Sequence, residues 1–168
     1  MCFINIVLNQ TVYFNTSRAK DGIYYSNTAN LWLNDKTWKG VIFEERESHC
    51  SVITQLNQPN CYLLQESSTA ENIERVLQKK GITKQLDLLV INKKDTYIFE
   101  NLTLEPRVVV QEYDHLQPDS LSMLLTLAHK KGYKLVEFVH NKAFFVPRNL
   151  YRHFNKMALP NIPLKLSE

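Results

Sequence analysis

Glycine is scarce in this chain: its 168 residues hold only Gly22, Gly40, Gly81 and Gly132. Glycine lets backbone adopt positive φ and approach a ligand closely, so a chain this poor in it has little material for a glycine-rich binding loop. Cysteine is sparse too. Cys2, Cys50 and Cys61 are odd in number and scattered. That pattern excludes a disulfide framework or a Cys-x-x-Cys zinc site, and points to reduced thiols in a cytoplasmic compartment. The apolar run over residues 1–8 lacks basic flanks and is too short to span a bilayer, so a strand is expected there and no membrane contact.

Charge of one sign is also missing. The net charge is +3, far from a strongly basic nucleic-acid-binding domain, so nucleic acid is not the expected partner. No G-x-S-x-G and no P-loop occurs, which leaves hydrolase and nucleotide triphosphatase readings without a motif. His49, His129 and His153 have neither H-x-x-x-H spacing nor a cysteine partner. A dedicated metal site is therefore not expected. There is no internal repeat, low-complexity segment or linker. Hydrophobic content of 44% and charged content of 22% suit one globular domain.

What is present alternates between strand-like and helix-like segments. Thr11-Val12-Tyr13-Phe14 reads as a core strand, followed by a turn at Asp21-Gly22 and a helix over residues 26–33. Residues 38–44 form a second strand, residues 48–57 a helix ended by Pro59, and Cys61-Tyr62-Leu63-Leu64 a third strand. Ser68-Thr69-Ala70-Glu71 has capping-box form with Ser68 as N-cap, ahead of a helix burying Ile73, Val76 and Leu77 and stopping at Gly81. The apolar runs 86–91 and 107–113 read as strands buried on both faces. A short helix covers residues 97–102. A longer one covers residues 120–131, with Leu121, Leu124, Leu125 and Ala128 inward and Gly132 closing it. Residues 134–139 and 143–146 flank His140-Asn141-Lys142 as a hairpin. The expected fold is α/β: a doubly wound, mostly parallel sheet with a C-terminal antiparallel hairpin strand, over residues 1–159. Residues 160–168 read as an extended tail.

Certain residues carry a family likeness. Asp21-Gly22-Ile23-Tyr24-Tyr25-Ser26-Asn27-Thr28, followed by Trp38-Lys39-Gly40-Val41-Ile42-Phe43-Glu44, resembles the opening of the FkbM-type methyltransferases. Glu71-Asn72-Ile73 resembles that family's E-N-I helix start. Pro106-Arg107-Val108-Val109-Val110-Gln111-Glu112-Tyr113-Asp114 resembles its P-x-V-V-x-x-E-Y-N strand. Gly132-Tyr133-Lys134-Leu135 and Asn141-Lys142-Ala143-Phe144-Phe145-Val146 resemble its ending. The motifs occur in order from about residue 11 to 150. The resemblance implies the Rossmann-like fold of class I, S-adenosylmethionine-dependent methyltransferases, with O-methyl transfer as the activity.

It also implies roles. Glu44, after the second strand, would accept the ribose hydroxyls of the cofactor. Asp21 and Gly22 would shape the turn beneath it, although a plain helix start is the favoured explanation for them. Asn92 would stand at the mouth of the fourth strand. The departures concern these same loops. Asn15, Ser17, Arg18 and Lys20 stand where the family has an acidic residue and glycines, and Asn92-Lys93-Lys94-Asp95 stands where it has D-x-D/E-G. S-adenosylmethionine carries a sulfonium and an ammonium group. One like-charge contact at ~4 Å and an effective dielectric near 20 costs about 4 kcal/mol, so Arg18, Lys20, Lys93 and Lys94 oppose it.

Glu112, Tyr113, Asp114, His115 and Asp119 form the densest set of acid–base groups. Methyl transfer to a hydroxyl needs a base or a metal, and Asp114 and His115 are the candidate catalytic pair. The leading expectation is a methyltransferase-like domain with lost or weakened S-adenosylmethionine binding. It would act as a binding or scaffold protein toward a protein partner or an anionic small ligand. An active O-methyltransferase is the alternative, and a nucleic-acid-binding module built on Arg18, Lys20, Lys93 and Lys94 is a third reading. Homo-oligomerisation stays open.

Overall fold

A computed structural model of the chain describes residues 12–15, 39–43, 61–64, 69–79, 86–114 and 116–155. Seven strands form one sheet: β1 (Val12–Asn15), β2 (Lys39–Phe43), β3 (Cys61–Leu64), β4 (Leu88–Ile91), β5 (Val108–Glu112), β6 (Tyr133–Val139) and β7 (Lys142–Pro147). Their spatial order is β3-β2-β1-β4-β5-β7-β6. β1 pairs in parallel with β2 and β4, β2 with β3, and β4 with β5. β7 is antiparallel to both β5 and β6. It therefore runs against its neighbours, inserted between β5 and the edge strand β6. The order reverses at the β1/β4 pair, the crevice where open α/β sheets place ligands.

The described helices are α1 (Ala70–Lys79), α2 (Thr96–Asn101), α3 (Pro118–Lys130) and α4 (Arg148–Asn155), with a 3₁₀ turn at Lys93–Asp95 leading into α2. The expected helices over residues 26–33 and 48–57, the Gly81 cap, the tail and the backward extension of the first strand lie outside the described residues.

α1 buries Ile73, Val76 and Leu77, a one-sided stripe at helical spacing. Its cap is one residue later than expected. Thr69, not Ser68, receives the Asn72 amide on its hydroxyl at 3.2 Å. Glu71 falls in the first turn, where its charge suits the helix dipole. Thr69→Ala is expected to cost about 1 kcal/mol in urea unfolding. An unchanged midpoint would contradict Thr69 as the cap.

β4 and β5 supply the centre of the core. Leu89, Val90, Ile91, Val109 and Val110 are all buried, as continuous apolar runs in covered parallel strands should be. α3 packs through buried Leu124 and Ala128, while Leu121 and Leu125 are only half-buried. It ends at Gly132, whose φ of +81° is the left-handed value that favours glycine after a helix. At the heart lies Phe99, fully buried, edge-on to Tyr133 at 5.2 Å between ring centres and 6.5 Å from Phe145. The Tyr133 hydroxyl donates to the Pro106 carbonyl at 2.8 Å. Burial, with the charge of Glu105 added, pushes its pKa well above the usual tyrosine range.

Lys131 follows α3, yet its charge serves another helix. Its Nζ donates to the carbonyls of Glu100 at 3.0 Å and Leu102 at 2.8 Å, closing the C-terminus of α2, and lies 5.6 Å from the Phe99 ring centre. Burial lowers its pKa despite the opposing pull of Glu100, Glu74 and Glu105. Glu74 on α1 closes the other side of that junction, accepting from the Thr103 amide and hydroxyl and from the Leu104 amide.

Candidate functional site

The mouth of the sheet lies beyond the carboxyl ends of β1 to β5. Asp21, Gly22, Glu44 and His115 lie outside the described residues, as do Arg18 and Lys20. Of the sequence-derived candidates, Asn92 and Asp114 are described, and the fold brings their segments together.

Asn92 ends β4 in an extended conformation, with φ −72° and ψ 159°, and the chain then tightens into the 3₁₀ turn. The Asn92 carbonyl accepts the Asp95 amide at 3.0 Å. It also accepts the side chain of Gln111 at 2.9 Å. Gln111 is fully buried near the end of β5, where it pairs with Ile91 and with Ala143. Its Nε2 also lies 3.3 Å from the Thr96 hydroxyl and donates to the Glu112 carbonyl at 3.0 Å. Its Oε1 is buried without a hydrogen-bond partner. Gln111 thus fastens the β4 loop to β5 while leaving one buried acceptor open. Sequence reasoning passed over this residue as part of an apolar run. The available signal was an amide at the single polar core position after Val108-Val109-Val110.

Asp114 follows β5 and is one-fifth exposed, and its carboxylate is held from two sides. Oδ2 accepts Lys93 Nζ at 2.9 Å. Oδ1 accepts the Leu116 amide at 3.1 Å. The Asp114 amide donates to the Ser120 hydroxyl at 3.1 Å, and its carbonyl receives the Gln117 amide at 3.1 Å, which folds the chain into the start of α3. Lys93 therefore spans from the β4 loop to the β5 loop. The rim cation expected to face a ligand is instead paired with the candidate base.

Glu112 is committed as well: its Oε1 accepts the side-chain amide of Asn141 at 2.6 Å. Asn141 belongs to the β6–β7 turn, where His140 has a φ of 55°. The Asn141 carbonyl receives the Tyr113 amide at 2.9 Å, and the Tyr113 hydroxyl donates to the His140 carbonyl at 3.2 Å. The hairpin turn is thus tied to the end of β5. Asp119 is exposed in the first turn of α3, where a carboxylate suits the helix dipole. Among the described residues, no group of three or more His, Cys, Asp or Glu is placed to hold a metal ion. No helix among them is long and apolar enough to cross a membrane.

No family model matches the sequence, and no curated protein sequence matches it. Solved structures do. The fibrillarin pre-rRNA processing protein of Methanococcus jannaschii matches with a TM-score of 0.56 at 8% identity, over 82% of this chain and 65% of that one. Precorrin-6y C5,15-methyltransferase from Geobacter metallireducens matches with a TM-score of 0.51 at 11% identity, over 84% and 80%. A human methyltransferase 10 domain containing protein matches with a TM-score of 0.50 at 11% identity, over 82% and 70%. At such identities the likeness shows the fold alone. With its strand order and inserted antiparallel strand, the chain has the fold of the class I, S-adenosylmethionine-dependent methyltransferases.

Proposed function

We propose that this methyltransferase-like domain works by binding, with S-adenosylmethionine recognition lost or strongly weakened, and that it is related to the FkbM-type methyltransferases. A sheet wound on both faces and a cytoplasmic location belong to the same reading. The ordered motifs from Asp21-Gly22 to Asn141-Lys142-Ala143-Phe144-Phe145-Val146 support the kinship.

The observation that carries the loss is the Lys93–Asp114 pair. A general base must turn an oxygen lone pair toward the acceptor hydroxyl, and an ammonium held against a carboxylate makes it a weaker base. Both oxygens of Asp114 are held within the chain, one by an ammonium and one by a backbone amide. The cofactor's two cationic centres ask for carboxylates or carbonyls. Among the described residues of the mouth, Glu112 is held by Asn141, Asp114 by Lys93, and Asp95 has its own partner. The open acceptor that remains, Gln111 Oε1, is fully buried. Among the described residues of the mouth, the carboxylates are engaged within the chain and do not fit the cofactor's two cationic groups.

Ligand-linked thermal unfolding tests the reading. A ligand at 100 times its Kd raises stability by about 2.7 kcal/mol, which moves the Tm of a chain this size by several degrees. With 5 mM S-adenosylhomocysteine the Tm is expected to stay where it is. A rise of several degrees would favour the alternative, an active O-methyltransferase, and Asp114→Asn would then be the next variant to assay.

A further inference from the structure

The mild net charge conceals a segregated one. Residues 129–155 hold six of the 20 basic residues and one of the 17 acidic ones, Glu137, so this stretch exceeds the whole chain's net charge of +3. Lys131 is half-buried and committed to the end of α2, and Lys142 is half-buried at the hairpin turn. The other four, Lys130, Lys134, Arg148 and Arg152, are exposed.

The fold gathers these four at one place. The Arg148 amide donates to the Gly132 carbonyl at 2.9 Å, and its guanidinium donates to the His129 carbonyl at 3.1 Å, beside Lys130. Lys134 Nζ lies 4.9 Å from the ring centre of Tyr151. Arg152 is four residues after Arg148 on α4, on the same helical face. The cluster surrounds the amino end of β6. β6 runs parallel to β5, because both are antiparallel to β7, so this is the end of the sheet opposite the mouth. Among the described residues, no carboxylate pairs with any of the four. The acids whose charge reaches this end of the sheet are Glu105, at Tyr133 and Lys131, and Glu100 and Glu74, at Lys131. None of them pairs directly with the four exposed cations, whose gathering produces a local positive potential.

We infer that this surface binds the phosphodiester backbone of a nucleic acid. Chemistry separates this from an acidic protein partner. Protein interfaces are built around an apolar centre from which charge is depleted. The exposed large hydrophobic residues among those described are Tyr97, Leu116, Met123 and Val139, and none belongs to this cluster. Interfaces to nucleic acid are polar and positively charged, and backbone contacts need no apolar centre. The inference is independent of whether the mouth binds a cofactor, since it uses none of the same residues. It also departs from the expectation drawn from net charge alone, and it uses none of Arg18, Lys20, Lys93 or Lys94.

The test is fluorescence anisotropy of the full chain with a fluorescein-labelled 20-nucleotide single-stranded RNA, titrated between 50 and 200 mM salt. Four phosphate contacts predict a slope of log K against log salt of roughly −3 for a single strand. The triple variant Lys134→Gln/Arg148→Gln/Arg152→Gln should bind at least tenfold more weakly with a slope shallower by about 2. Its circular dichroism should match the parent's and show an intact fold, with a Tm a few degrees lower for the lost Arg148–His129 bond and Lys134–Tyr151 contact. As a second variant, Lys93→Gln at the mouth should bind like the parent. Failure of the parent to saturate at tens of micromolar protein would overturn the inference. So would a triple variant that binds like the parent, or competition by poly-glutamate as strong as by unlabelled RNA, which would point to an acidic protein surface.

Discussion

Phe99→Ala is expected to destabilise the protein by about 3–5 kcal/mol and to lower its Tm by roughly 10 °C. Phe99 is fully buried and meets the rings of Tyr133 and Phe145. Truncation opens a cavity where α2 meets the sheet, and Lys131 Nζ loses the ring beneath it. α2 has only six residues and no side-chain cap, so packing rather than intrinsic propensity holds it. The loop from β4 to α2, with Lys93 in it, should loosen with it. Urea unfolding of the variant measures the effect. A loss under about 1 kcal/mol would show that this aromatic cluster is not the centre of the core.

Gln111→Glu has the second large expected effect, about 3 kcal/mol or more at pH 7. The amide donates toward the Asn92 carbonyl, the Thr96 hydroxyl and the Glu112 carbonyl from a fully buried position. A carboxylate there places a buried negative charge against oxygen atoms and removes the donor. The folded state then favours the protonated acid, so the introduced group's folded pKa rises above its unfolded value of about 4.3. The penalty is complete above the folded pKa and shrinks as pH falls toward the unfolded one. The variant should therefore recover part of its deficit between pH 7 and pH 5. Gln111→Met, which removes the donor without adding charge, should lose about 1–3 kcal/mol with no such pH dependence. Urea midpoints at the two pH values separate the variants. Equal stability of Gln111→Glu and the parent at pH 7 would contradict the hydrogen-bond assignment.

Much of the fold was legible because its periodicities are strong. Leu88-Leu89-Val90-Ile91 and Val108-Val109-Val110 are apolar runs, and they lie in the central strands β4 and β5. Ile73, Val76 and Leu77 were readable as one helix face for the same reason. Ends were less legible. Ser68 and Thr69 are adjacent hydroxyl residues, and only the geometry selects Thr69 as the cap. The helix after Lys93-Lys94-Asp95 begins at Thr96 because the 3₁₀ turn leads into it without a break.

The site was legible only in part. Spacing along the chain located the loop after β4 and the loop after β5, but it could not show that Lys93 crosses 21 positions to reach Asp114. Spacing marks Lys93 as a rim cation and Asp114, with His115, as a candidate catalytic pair, and it does not join Lys93 to Asp114. Lys131 follows α3 in sequence, yet its ammonium caps α2. Long flexible side chains choose partners in three dimensions, so their roles are the last to emerge from a sequence. Gln111 was missed for a related reason: its importance lies in which carbonyls surround it, and a strand pattern does not record that.

The measurement that bears most directly on the central claim is isothermal titration of the purified chain with S-adenosylmethionine and with S-adenosylhomocysteine. A mouth whose Asp114 carboxylate is engaged by Lys93 predicts no heat of binding from either ligand at millimolar concentration. Binding of either at micromolar strength would contradict the account, and would mean that the glycine-poor loop and the lysine-bearing turn still build a working cofactor site.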